Sequence, residues 1–167
     1  MAAERTERIQ FVVQLHEIDG SFRWVDVKRL SRTPRFGKLP EDALAGLLDH
    51  PAYRDHYAGQ DSETDAPIHG PYRLDALSVG SFETVTAAAA EAILRAWLDL
   101  VDPLGRKQSA DLEAVFELIR NAARCFHLRN PDDSAQHDWG WVVGMGGFVE
   151  LVLADADWVT LIVASDD

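Results

Sequence analysis

Residues 81–128 constrain this chain more than any other stretch. Leu112, Val115, Phe116, Ile119, Ala123 and Phe126 recur at three- and four-residue spacing, with Asp111, Glu113, Glu117, Arg120 and Arg124 on the opposite side. That is the period of an amphipathic helix with one buried stripe. Upstream, Val85, Ala89, Ile93, Ala96 and Leu100 form a second stripe, and Glu91, Arg95 and Asp99 are spaced as an i,i+4 polar ladder. Pro103 and Gly105 stop the first helix, and Ser109 suits the N-cap of the second. The pair predicts an αα-hairpin, and the alanine run 87–90 lets a neighbouring element approach closely.

On either side the period changes to that of strands. Residues 9–30 read as a β-hairpin around Asp19-Gly20, with Ile9, Phe11, Val13 and Leu15 on one face of the first strand. A three-residue loop sets Leu15 opposite Arg23, Val13 opposite Val25 and Phe11 opposite Val27. It keeps more apolar pairs together than a two-residue turn, which sets Leu15 opposite Trp24 and Val13 opposite Asp26. Phe22 and Trp24 then share the other face with Gln14 and His16. Pro40 opens a short helix over 41–50, and Pro51 restarts a second to Tyr57. Residues 59–71 carry Gly, Pro and acids with little apolar content and read as a surface loop, and 72–79 as a short strand. Runs at 139–143, 148–154 and 158–164, separated by glycine- and aspartate-containing turns, predict an antiparallel meander; the last two are apolar enough to be covered on both faces. The fold expected is α+β: a predominantly antiparallel sheet, made of an N-terminal hairpin and a C-terminal three-stranded meander, packed on a central αα-hairpin. All of residues 1–167 form a single globular domain.

Charge narrows the choice of partners. The net charge is −12. Residues 1–38 hold eight Lys/Arg against five Asp/Glu (+3), and the remainder eight against twenty-three (−15). Nucleic acid is therefore a poor partner for the body of the molecule, because phosphates are repelled. Only the segment from Lys28 to Lys38, with five basic residues around Phe36, is suited to touch phosphate, and its ordinary reading is a loop lying against an acidic body. No apolar run approaches the roughly 20 residues of a membrane span, and the charged first eight residues lack a signal-peptide core. With Cys125 the sole cysteine, no internal disulfide forms, and a reducing cytoplasm is the expected location.

Signatures of chemistry are sparse. The six histidines form no His-x-x-x-His or His-x-His pair, and no metal or cofactor motif is present. Cys125 and His127, two apart on a helix, point about 200° apart and form no dyad; Cys125 reads as a small buried hydrophobe and His127 as a helix C-cap. The glycines at 144, 146 and 147 precede a strand rather than the helix a phosphate loop requires. Asp155 and Asp157 begin a calcium-loop pattern that Thr160 breaks at its glycine position.

Topology offers one constellation. The meander gathers Asp138, Trp139, Asp155, Asp157 and Trp158 on one lip, with Asp132, Asp133 and His137 arriving from the preceding loop. Carboxylates around two tryptophans suit a basic, Arg-rich protein: the aromatics anchor and the acids steer. The competing reading makes the aspartates turn residues and the tryptophans core. The functional expectation is a non-enzymatic protein-binding module, such as an immunity- or antitoxin-type inhibitor of a basic protein. The alternative is a small-molecule-binding domain or small enzyme, its pocket between sheet and helical hairpin, using His127 or the Tyr53–His56–Tyr57 stretch.

Overall fold

The computed structural model describes residues 4–15, 22–58, 61–99, 106–137 and 147–166. In chain order, strands β1 (Thr6–Leu15) and β2 (Phe22–Ser31) are followed by helix α1 (Pro40–Leu48) and a small ribbon of β3 (Ile68–His69) and β4 (Tyr72–Arg73). Strand β5 (Phe82–Val85), helices α2 (Ala87–Asp99) and α3 (Arg106–Asn121), and strands β6 (Arg124–Leu128), β7 (Val149–Ala154) and β8 (Trp158–Asp166) complete the chain. Six strands form one antiparallel sheet in the order β1-β2-β8-β7-β6-β5. The α+β class holds, and β8 is an internal strand.

Strands β7 and β8 are apolar at most positions because both sheet faces are covered. Leu151, Leu153, Ile162 and Ala164 meet Leu94, Leu112, Phe116 and Ile119 of the α2–α3 layer. Val152, Ala154, Leu161 and Val163 meet Leu44, Leu47, Tyr53 and Tyr57, in the layer of α1 and the segment after it. Between α2 and α3, Glu91 takes Arg120 in a two-pronged ion pair as well as its i,i+4 partner Arg95. Hydrogen bonds from these two guanidiniums hold the Glu91 carboxyl down at about 2.

Several expectations are corrected. Helix α3 ends at Asn121: Ala123 is exposed, its N–H donating to Asp155 Oδ1 at 2.9 Å, and Phe126 belongs to β6, facing the α1 layer. Alternation takes over there because Cys125 and Phe126 serve opposite faces of a strand held between β5 and β7. In α2 the buried stripe is Ala90, Leu94, Trp97 and Leu98, with Ala96 exposed and Val85 ending β5. An alanine-rich helix contrasts weakly around its circumference, so its largest side chains decide which face turns inward. The hairpin pairs Phe11 with Val25 and Ile9 with Val27, two residues from the expected register, with a shift between Val12 and Gln14. Its parity is preserved, so Val25 and Val27 still face the helices and Trp24 the other side.

The position beside β7 belongs to β6; residues 139–143 lie outside the described residues. Of the strand expected over 72–79, only 72–73 form one, paired with β3 rather than with the main sheet. The segment expected as a surface loop is instead a packed strap. Ser62, Ile68 and His69 are buried, and backbone bridges join Asp55 to Glu63 and His69.

Candidate functional site

Polar chemistry gathers in several places among the described residues, two of them beside β1 and β2. The first is sealed between the strap and the sheet. On the α1 face, antiparallel pairing sets Arg8 opposite Lys28 and Gln10 opposite Asp26, polar residues alternating with valines that serve the helical face. Lys28, 1% exposed, places Nζ 2.6 Å from Asp55 Oδ2 and 2.8 Å from the Ala52 carbonyl, over the Tyr57 ring at 5.3 Å. Arg8 spans two carboxylates, with Nε 2.8 Å from Asp26 Oδ1 and Nη2 3.0 Å from Asp55 Oδ2, and also donates to Ser62 Oγ. Glu63 lies at the margin, 3.4 Å from Lys28 Nζ. Asp55 Oδ1 accepts the Tyr57 N–H at 2.7 Å, holding Tyr57 at φ 55, a left-handed conformation that is costly for a bulky residue.

Beside this cluster His69 stacks on Tyr53 at 3.7 Å between ring centroids, and the edges of Tyr57 and Phe148 close around it. Its Nδ1 donates to the Tyr53 carbonyl, and its Nε2 lies 3.1 Å from Glu150 Oε2, out of hydrogen-bond alignment. Glu150 Oε1 accepts from the Tyr53 hydroxyl at 2.8 Å.

Electrostatics separates the two aspartates. Burial raises the Asp26 carboxyl, and Arg8 offsets this only in part. Burial opposes ionisation of Asp55 as well, but the charge and hydrogen bond of Lys28, with Ser62 and the Tyr57 N–H, hold it below the ordinary carboxylate range. Burial first, and neighbouring carboxylates second, push the hydroxyls of Tyr53 and Tyr57 well up. His69 and Asp55 are 0% exposed, and Asp55 ties the strap to Lys28 and Arg8 of the sheet. The cluster therefore works as a clamp that fixes the strap to the sheet. Among the described residues no group of three or more His, Cys, Asp or Glu is placed to hold a metal ion.

The second place is open. A groove of about 450 Å³ runs between α3 and the outer strands. Ile9, Phe11, Val27, Val115 and Leu118 supply its apolar surface, and Glu7, Glu117, Asp155 and Arg29 its charges. Glu7 is paired with Arg5 at 3.3 Å and Arg29 at 3.4 Å, whereas Glu117 is exposed on the helix.

Known proteins offer no guide here. The chain matches no family model, no curated protein and no solved structure.

Of the residues expected on the acidic lip, Asp155, Asp157 and Trp158 do share the β7–β8 turn; Asp138 and Trp139 lie outside the described residues. Asp155 is the link between lip and groove. Trp158 is half-buried, with Arg29 at 4.4 Å and Arg5 at 5.5 Å over its ring, so its face already carries cations from the same chain. Asp132, Asp133 and His137 follow the far end of β6, because Arg124 pairs with Ala154 and the strand then runs away from the turn. His137 Nε2 donates to the Gly70 carbonyl, in the turn of the small ribbon, at 2.8 Å. Much of the basic segment is spent internally. Lys28 is in the clamp, Arg32 donates to the carbonyls of Asp155 and Leu39, and Arg35 to that of Asp49.

Cys125 and His127 are on a strand rather than a helix, which puts them on the same face and overturns the angular argument. His127 Nδ1 instead lies 3.1 Å from Glu83, and Cys125 is buried with Sγ 3.9 Å from the Ile119 carbonyl. Tyr53 and Tyr57 lie on the other side of the sheet from the helical hairpin, so a pocket between sheet and hairpin does not draw on that stretch. Sequence reasoning missed the clamp. Its visible signal was Glu150 inside an otherwise apolar run, and Asp26 and Lys28 alternating with valine.

Proposed function

We propose that this chain is a non-enzymatic protein-binding module for a basic partner, of the kind an immunity protein or antitoxin is toward its toxin. The observation that carries this reading is the groove between α3 and the β1–β2 hairpin, with an apolar surface and carboxylates at its margin. Apolar contact supplies affinity, and the acids favour a cationic partner within a molecule of net charge −12. The clamp supports it indirectly, since Lys28, Asp55 and His69 are buried and their polar atoms bind one strap-to-sheet network.

Affinity capture from the native cytoplasm tests the proposal, with Leu118→Arg and Glu117→Lys as controls. The wild type should retain a basic protein that both variants lose, while circular dichroism shows them folded. Capture that both folded variants leave untouched would move the site elsewhere. With the partner in hand, changing Asp155 and Asp157 together to Asn should slow association and flatten its salt dependence more than it changes dissociation.

A further inference from the structure

Among the described residues, the first strand of the sheet has no neighbour on its outer side. Strand β1 stands at one end of the sheet, with β2 on its inner side alone. The Ser31 N–H donates to the Arg5 carbonyl at 2.8 Å, so Arg5 and Ser31 are a hydrogen-bonded pair. Antiparallel pairs alternate, and the register continues through Glu7–Arg29, Ile9–Val27 and Phe11–Val25. The N–H and C=O groups of Thr6, Arg8, Gln10 and Val12 therefore point away from β2.

Strands left open in this way normally carry a lysine, a proline or an outward charge that discourages pairing. Residues 6–12 have no lysine and no proline, and Arg8 turns its charge inward to Asp26 and Asp55. Ile9 is 54% exposed on the helical side and Val12 is 56% exposed on the α1 side, two of the four large hydrophobics exposed among the described residues. A ligand in the groove reaches only the first. An added strand covers both.

We infer that a second copy of this chain pairs with β1, antiparallel about a two-fold axis at Gln10, joining the two six-stranded sheets edge to edge. The sequence is self-complementary about that point: Gln10 meets Gln10, and Ile9 meets Phe11 twice, outward from each groove. Arg8 meets Val12 twice, its aliphatic stem beside the valine. Such an isologous contact closes on itself and stops at the dimer. Charge permits it at this edge, because residues 6–14 hold one Glu and one Arg, while the acidic excess of −15 belongs to the bodies formed by residues 39–167. Screening the repulsion between those bodies with salt should strengthen the dimer. An interface of strand-pairing size falls at or below the ~1,200 Å² of the smallest stable complexes, so dissociation constants on the order of micromolar are expected.

Sedimentation velocity on the purified chain over a wide concentration series tests this without any partner, independently of the basic-partner reading. A dimer that grows with concentration, strengthens with salt and weakens at least about tenfold in Gln10→Pro and in Val12→Lys is expected. Proline at position 10 removes only an outward-facing donor, and circular dichroism verifies that each variant stays folded. In the Cys125→Ala background, Gln10→Cys should oxidise to a disulfide-linked dimer, since directly paired residues lie within disulfide reach. A monomer at every concentration overturns the inference. So does a dimer indifferent to both folded variants, or larger assemblies without a closed dimer.

Discussion

Asp55 and Asp26 are neighbours in one buried cluster, and the structure gives their charges opposite values. Replacing each by Asn, singly, separates the two. In Asp55→Asn the carboxylate that faces Lys28 at 2.6 Å and Arg8 at 3.0 Å loses its charge, and Lys28 stays sealed against the Ala52 carbonyl with Glu63 3.4 Å away. Removing one side of a buried ion pair costs about 3–5 kcal/mol. Glu63 is half-exposed and still within reach of Lys28, which places this change at the low end, about 3 kcal/mol. In Asp26→Asn the amide oxygen still accepts from Arg8 Nε, and the charge removed is one that burial disfavours, so a loss under about 1 kcal/mol is expected. Urea unfolding at pH 7 measures both. The pH dependence then has a definite sign. Asp55 is depressed in the folded state, so its contribution is complete above the unfolded carboxylate value and is lost as pH falls through the folded one; the gap between wild type and Asp55→Asn should narrow only below about pH 4. Asp26 is raised, so its ionisation costs stability at neutral pH and that cost fades on acidification, which moves the Asp26→Asn gap in favour of the wild type. Equal losses for the two variants at pH 7, or a loss below 1 kcal/mol for Asp55→Asn, would refute the clamp.

Phe116→Ala should cost about 3 kcal/mol by chemical denaturation, the low end for a buried phenylalanine, because Arg95 stacks on its ring at 3.8 Å and can follow the retreating surface. Gly70 has φ 52, and a Cβ there would meet Phe148 Cε2 at 2.5 Å; Gly70→Ala should lower stability by about 1–3 kcal/mol and disturb the near-ultraviolet signal of the aromatic cluster. The Cys125 thiol, raised by burial and then by Asp155, should react with a disulfide reagent only as fast as the chain opens, so labelling rates should track denaturant concentration.

What the sequence made legible follows periodicity. The two-sided apolar runs of β7 and β8 and the inner face of α3 through Ile119 were readable because large apolar residues repeat with few interruptions. Phe126 fell in phase with the helix by coincidence: positions 112, 116, 119 and 126 fit a 3.6 period, and nothing local announces that Ala122 and Ala123 break it. The hairpin register depended on a bulge near Val13 that no residue type there requires. The clamp was illegible for a different reason. Its members come from β1, β2, the strap and β7, so their meaning arises only when the fold brings them together.

The pairing of β2 with β8 has a consequence for how the chain is made. Val25 and Val27 acquire their permanent neighbours, Ala164 and Ile162, only after more than a hundred further residues have been synthesised. Until β8 emerges from the ribosome, the early hairpin presents an unsatisfied inner edge. Closure of so distant a contact is slow, and the interval before it is when such an edge finds wrong partners. A nascent chain arrested just short of Trp158 should therefore engage chaperones and remain protease-sensitive, while one released past Asp166 should not.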